Sequence, residues 1–517
     1  MRIAFTILIF VVFAYSIQST AQNESSDEEG IPEFKDLKYQ AGLNPPVRLG
    51  QSAVWGDYNA DGWLDILITN INRGSRRSDG RRSRFRARGA LNLDTGNKSM
   101  FLFAGRSDGG FDEISSISEL PDVNSSAASW ADYNNDGFPD LAISTISTES
   151  PPLLFENKDG IFFADVTEAS GLKNPKSSVS HVLWADFDRD GMVDLFQAGR
   201  GESVLYRNKG DGSFEDVSDS MSLAEGINTS SAVWFDYNND GYPDIFLANS
   251  GLNKLYVNNG DGTLSDVTTK SGLGGEFYWK TAAACTGDYN GDGFLDIYVT
   301  NIGKAKSNAL YRNNGDGTFE DVTWETNTGD AGDGRTCAWV DFDADGKIDL
   351  FTTNHVKPTK LYRNLGNGTF SDVAPEAGVD SPIDVFAATW GDYDRDGFMD
   401  VYLNGHIGTA LMRNSGNSNS SVTLELVGDG LLSNSLAIGA RVEVSTPDGL
   451  QIREVSGGRG CCEQDMLPVY FGAGKHTEVD INVKWPSGKN CSFEKVPVEK
   501  RKWFTIREIN CEIIASN

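Results

Sequence analysis

Apolar residues along this chain come in short bursts set between clusters of Asn, Asp and Gly. Bursts of that length between turn formers predict strands. Around the middle of the chain, "SAVWFD" leads into an acidic phrase and then "DIFLAN". "KLYVN" and "TLSDVT" follow on either side of an Asn-Gly-Asp-Gly turn, a hairpin signal. Each such unit therefore holds four strands.

The acidic phrase recurs seven times: "DYNADGWLD" from Asp57, "DYNNDGFPD" from Asp132, "DFDRDGMVD" from Asp186, "DYNNDGYPD" from Asp236, "DYNGDGFLD" from Asp288, "DFDADGKID" from Asp341 and "DYDRDGFMD" from Asp392. The starts are 75, 54, 50, 52, 53 and 51 residues apart, a period that means an array of supersecondary units. Seven four-stranded units predict an all-β, seven-bladed β-propeller. The seventh unit lacks its last strand, while "PEFKDLKYQAGL" near the N-terminus matches the missing "GTFSDVAPEAGV" type. The N-terminal segment is expected to complete the last blade and close the ring. Trp55, Trp130, Trp184, Trp234, Trp339 and Trp390 each stand two residues before a phrase, which reads as packing between blades rather than as a ligand platform. Beyond the array, alternation in "VTLELV", "ARVEVS" and "VDINVKW" predicts a small β-sandwich-like domain.

Within each phrase, positions 1, 3, 5 and 9 offer side-chain oxygens, Gly at 6 permits a sharp turn, and position 7 offers a backbone carbonyl. The expected ligands are Asp57, Asn59, Asp61, Trp63 and Asp65; Asp132, Asn134, Asp136, Phe138 and Asp140; Asp186, Asp188, Asp190, Met192 and Asp194; Asp236, Asn238, Asp240, Tyr242 and Asp244; Asp288, Asn290, Asp292, Phe294 and Asp296; Asp341, Asp343, Asp345, Lys347 and Asp349; and Asp392, Asp394, Asp396, Phe398 and Asp400. Hard oxygen donors on a pliant loop suit Ca²⁺ better than Mg²⁺, which demands a stricter octahedron. No phrase has Glu at position 12, and strands follow, so these are not EF-hands. About seven calcium sites are expected, acting as staples: short loops inside closed blades offer no second arrangement for a sensor to select.

The net charge is −29, and the carboxylates of the seven phrases account for 24 of the negative charges. Acidity therefore reads as metal-binding capacity, and nucleic acid is disfavoured as a partner. The start of the chain has one Arg, an apolar run over residues 3–17 and a small-residue cleavage pattern, the signature of a secretory signal peptide. The expected layout is a leader at 1–21, a disordered stretch at 22–31, the propeller at 32–413, a linker at 414–421 and the β domain at 422–510. No membrane insertion is expected of the mature chain. Secretion permits disulfides among Cys285, Cys337, Cys461, Cys462, Cys491 and Cys511. Pairing within the first two and within the last four is expected, with Cys461 and Cys462 reaching Cys491 and Cys511. Seven Asn-x-Ser/Thr sequons, at Asn23, Asn97, Asn124, Asn228, Asn367, Asn419 and Asn490, imply some glycosylation.

The long first spacing holds an insertion with Arg73, Arg76, Arg77, Arg81, Arg82, Arg84, Arg86 and Arg88. Three readings stay open for it: an inert solvated insertion, a glycosaminoglycan-binding patch, or a cleavage site. Only four His occur, none in a metal-ligand spacing such as His-Glu-x-x-His, and no nucleophile elbow, phosphate loop or dinucleotide fingerprint is present. A non-catalytic extracellular interaction scaffold is the leading expectation, bound to an extracellular protein or glycosaminoglycan. A lectin-like propeller and a hydrolase assembled from propeller loops are the alternatives.

The repeated phrases resemble the FG-GAP/VCBS repeats of integrin α-chain heads and related secreted propellers, over residues 34–417. In the tail, "NSLAIGARVEVS", "QIREVSGGRG", "VYFGAG" and "VDINVKWPSG" resemble the ASPIC/UnbV domain. Together they look like the cartilage acidic protein family, and the resemblance implies a secreted, calcium-binding glycoprotein of the extracellular matrix. Cys461-Cys462 departs from the tail pattern.

Overall fold

The computed structural model describes residues 30–46, 49–71, 98–145, 151–173, 178–221, 223, 228–303, 307–380, 384–460, 462–498 and 502–516. The expected leader, the Arg-rich insertion from Arg73 to Arg88, and Cys461 lie outside them. All elements below belong to one compact unit, residues 31–517.

Seven antiparallel sheets of four repeat strands follow one another along the chain. In blade four the strands are Thr229–Phe235, Asp244–Asn249, Lys254–Asn258 and Leu264–Asp266. The second strand is buried at every position, because neighbouring blades cover both its faces. The fourth strand buries only its first residue, so burial falls from hub to rim. The first strand of each blade packs against that of the next, and Val385–Gly391 of blade seven packs against Gly50–Gly56 of blade one. The ring closes.

Closure uses both ends of the array, as expected. Phe34–Asp36 pairs antiparallel with Thr409–Asn414, setting Phe34 opposite Asn414, and so supplies the outer strand of blade seven. Leu37 N–H then donates to Leu411 O at 2.8 Å, continuing the seam. The tryptophans fill the gaps between blades: Trp55, Trp130, Trp184 and Trp390 are fully buried. Trp55, Trp184 and Trp339 also donate their indole N–H to Thr389 O, Ser129 O and Cys285 O of the preceding blade.

Two further four-stranded sheets form the tail domain, with Val422, Leu424, Val442, Val444, Phe471 and Ile506 in a shared core. Its strands run from Ser420–Val427 to Glu512–Ser516, wider at both ends than residues 422–510. Asn414 still belongs to blade seven, and Asn417 and Asn419 donate their side-chain N–H to Asp343 O, so the connection is docked against blade six.

A segment of the tail domain, residues 456–460 and 462–465, enters the hub of the ring. Glu463–Gln464 adds to blade one as a short parallel strand, opposite Ala53 and Val54. Glu463 Oε1 accepts Ala388 N–H at 3.0 Å and its Oε2 accepts the Thr336 hydroxyl at 2.7 Å. Gln464 exchanges bonds with the N–H and C=O of Trp130. Arg459 reaches Cys337 O and Ala388 O and pairs with Asp465. Ser52 and Ser231 donate to Cys462 O and Gly460 O. With Trp184 N–H of blade three bonded to Gly457 O at 3.1 Å, blades one, two, three, four, six and seven converge on one inserted loop.

Cys285–Cys337 joins the innermost strands of blades five and six, a pairing within the repeat region as expected. The tail differs from expectation: Cys491 bonds Cys511, not Cys461 or Cys462. Cys491 and Cys511 lie on and beside rim strands of the tail domain, whereas Cys462 is buried in the hub, so the two regions are out of each other's reach.

Candidate metal centres

Each acidic phrase forms the turn between the first and second strands of its blade. Position 1 opens the turn and its carboxylate closes it: Asp57 accepts the N–H of Asp61 and Gly62, and Asp236 accepts those of Asp240 and Gly241. Position 4 is left-handed in every loop, with φ of 54° at Ala60, 58° at Arg189 and 70° at Gly291. Position 6 is also left-handed, at 85° to 96°, which explains its invariable glycine within the chain. The position 5 carboxylate takes the N–H of position 7, as from Tyr242 to Asp240 at 2.9 Å. All 35 expected ligand positions lie at these turns among the described residues.

Position 9 is the first residue of the second strand and is completely buried in most blades. Its Oδ2 accepts the N–H of position 2, as from Tyr237 to Asp244 at 3.1 Å. Its Oδ1 accepts the N–H of the third strand, as from Asn258 at 2.7 Å. In loop seven Oδ1 of Asp400 is engaged by Asn414, but Oδ2 is buried without a hydrogen-bond partner among the described residues.

Sequence reasoning missed that asparagine. Asn157, Asn208, Asn258, Asn313, Asn364 and Asn414 were legible only as turn formers. Each donates its side-chain N–H to the position 2 carbonyl of the preceding blade: Tyr58, Tyr133, Phe187, Tyr237, Tyr289 and Phe342. One residue thereby ties a metal loop to its own blade and to its neighbour. Blade one has Gly105 at this place, whose N–H bonds Asp65 but which has no side chain to reach across.

The three loops with Asp at position 3 bring one oxygen each from positions 1, 3 and 9 within 4.8 Å of one another: Asp186, Asp188 and Asp194; Asp341, Asp343 and Asp349; Asp392, Asp394 and Asp400. An arginine from the third strand meets the extra charge each time. Arg207 lies 2.5 Å from Asp188, Arg363 2.6 Å from Asp343 and Arg413 2.5 Å from Asp394. The Asn loops instead turn the amide toward position 5, as from Asn59 to Asp61 at 3.0 Å. Burial drives the carboxyls upward: Asp57 to about 6, Asp186 to about 7, Asp392 to about 8 and Asp244 to about 9. Asp341, Asp349 and Asp400 are pushed well up by burial as well, with nearby carboxylates adding to it. Clustered, desolvated oxygen donors and the unpartnered Asp400 oxygen fit a hard divalent cation.

The tail domain sits on this loop face. Gly472 N–H and Trp503 indole N–H donate to the position 1 carboxylates Asp341 and Asp392, at 3.1 and 3.2 Å. Ser435 donates to Asp132. Ring and tail enclose a cavity of about 460 Å³.

Comparison with known proteins agrees with this architecture. The FG-GAP-like repeat model matches residues 186–247, 236–299, 288–352 and 341–403, and the ASPIC and UnbV model matches residues 430–510. The chain is a β-propeller of FG-GAP-like repeats joined to an ASPIC and UnbV domain. Within that class it is similar to cartilage acidic protein 1. It is 26% identical to human cartilage acidic protein 1 over 266 residues, 38% of this chain and 39% of the relative. The Xenopus tropicalis protein is 26% identical over 262 residues, 38% of this chain and 40% of the relative. The match thus spans about two fifths of these relatives' length. Among solved structures, BBS1N in complex with ARL6DN gives a TM-score of 0.42 at 11% identity, covering 74% of this chain and 95% of that one. An Agrocybe aegerita lectin that recognises non-reducing terminal N-acetylglucosamine gives 0.39 at 17%, covering 60% and 87%. The relatives and the disulfides fit an extracellular, matrix-type protein. Among the described residues no helix is long and apolar enough to cross a membrane.

Proposed function

We propose that this chain is a secreted, non-catalytic interaction scaffold whose propeller is stapled by Ca²⁺ at the seven acidic loops. The observation that carries the reading is the acidic turn with a buried position 9 carboxylate in every blade, its carboxylates gathered closely in the three Asp loops and tied to the preceding blade, in blades two to seven, through the third-strand asparagine. Asp at positions 1, 5 and 9, with Asn or Asp at 3, would hold the ion, whose bound charge offsets the repulsion that burial imposes. At calcium tenfold above each dissociation constant, linkage gives about 1.4 kcal/mol per site. A ring of such sites adds an amount comparable with a whole domain's stability.

Because the tail domain covers the loop face, the partner surface falls on the opposite face, where blades are joined by variable connections. An extracellular protein or a glycosaminoglycan is the partner this reading expects. Glycosylation would spare Asn419, which is buried and bonded to Asp343 O. The test is a thermal melt of the secreted protein in calcium and in chelator, followed by tryptophan fluorescence. A large fall and broadening of the transition in chelator is expected. An unchanged melt would remove the staple role.

A further inference from the structure

Two of the four histidines meet at the junction of blades six and seven. His355 directly follows the strand Asp349–Asn354, and His406 directly follows Asp400–Gly405. Both strands begin at an acidic loop, so both histidines stand at the far end, on the opposite face of the ring. Asp384 leads into Val385–Gly391 of blade seven and lies between them. His355 Nδ1 is 2.7 Å from Asp384 Oδ1, and His406 Nδ1 is 3.3 Å from Asp384 Oδ2. One donor atom from each of the three falls within 4.8 Å of the others.

We propose that His355, Asp384 and His406 form a binding site for a zinc-class divalent transition metal, separate from the acidic loops. The donor chemistry differs from theirs: two imidazole nitrogens and one carboxylate oxygen suit a borderline-soft ion and are a poor set for Ca²⁺. The spacing also fits. A tetrahedral ion with bonds of about 2.0 Å has donor-to-donor edges of about 3.3 Å, and the gathered atoms need only small shifts to reach that. Three protein ligands leave a fourth position open, and the residues that follow the two histidines in sequence, Val356 and Ile407, are 75% and 67% exposed. A metal there would face a partner or a solvent molecule.

The repeat supplies an internal control. Asp384 also braces the loop after the second strand of blade six, since its Oδ1 accepts Val356 N–H at 3.2 Å, as Asp333 accepts Gly303 N–H one blade earlier. Bracing of that kind does not call for histidine. The places equivalent to His355 and His406 in blades one to five hold Ile71, Ile146, Arg200, Ser250 and Ile302. Histidine appears at this place only in the two blades that share Asp384. The His406 ring is further oriented by Phe386, stacked at 5.2 Å between centroids, and the Arg335 guanidinium lies over the Phe386 ring at 5.5 Å. Such packing fixes a ligand's direction before an ion arrives.

The experiment uses the full secreted chain with calcium held at saturating concentration. Zinc chloride is titrated calorimetrically, and Co²⁺ is added in parallel to read its visible absorption. About one zinc per chain is expected in the presence of calcium, with Co²⁺ bands of four- or five-coordinate nitrogen–oxygen ligation. His355→Gln and His406→Gln should each weaken binding at least tenfold, while His476→Gln, in the tail domain beside Asp448, should leave it unchanged. Melts without zinc establish that each variant is folded, and the wild-type Co²⁺ spectrum needs no variant. Zinc binding that calcium abolishes, that survives the double variant, or that is absent from the wild type would overturn the proposal.

Discussion

An aspartate at position 3 of a loop brings one more charge than an asparagine, and this chain sets an arginine against it each time. Arg413 bonds Asp394 at 2.5 Å and Asp396 at 2.7 Å, holding two prospective calcium ligands together. Without metal the guanidinium is their principal counter-charge; with metal it is one of two. Arg413→Ala should therefore cost about 2 kcal/mol in chelator and much less in calcium, measured as the difference between denaturation midpoints in the two conditions. An equal loss in both would mean that Arg413 acts through packing alone. The ligand positions were legible because they repeat within nine residues. The arginine was not, since it arrives from another strand some twenty residues on and reads there as one polar residue in a hairpin. His355 and His406 escaped for the same reason: local spacing cannot bring together residues a whole repeat apart.

At the scale of elements, the third-strand asparagine is the joint between blades. Asn313 donates to Tyr237 O in blade four and Leu295 O in its own loop, at 2.8 and 3.2 Å. Asn313→Ala leaves both buried carbonyls without that donor and should destabilise the protein by about 3 kcal/mol, read by urea denaturation in calcium. A change under a few tenths would show that water replaces the side chain. Strand order, the hairpins and the closing N-terminal strand were all visible in the alternation of the sequence, because each depends on neighbours or on a repeated register. The disulfide of the tail was not. Cys491 and Cys511 are paired by the fold of rim strands, while residues 456–460 and 462–465 are carried into the hub by a parallel pairing with Ala53 and Val54 that no local pattern encodes.

Across the whole molecule, buried carboxyls set the response to pH. Burial holds Asp186 and Glu463 at about 7 and Asp392 and Glu454 at about 8, all above the unfolded range. Between those values the folded state binds more protons than the unfolded state, so stability from these groups falls as pH rises from about 4 toward 8. His181, which burial lowers to about 3, opposes this below its ordinary value, and does so whether or not calcium is present. In chelator the melting temperature should accordingly fall between pH 6.5 and 8. Calcium must displace protons from its ligands, so the gap between calcium and chelator melts should widen over the same interval. A gap that stays constant would show that the loop carboxyls are already ionised in the metal-free fold.

The hub loop also constrains how the molecule comes into being. Residues 456–465 are translated after all seven blades, yet Glu463, Gln464 and Arg459 satisfy backbone groups of Ala388, Trp130 and Cys337 at the centre of the ring. A nascent chain can pair strands blade by blade as they emerge, but its axis stays hollow until the tail has left the ribosome. A later-made segment is thus the keystone of the first-made domain, and a chain halted before it would present an open, polar bore as its mark of incompleteness.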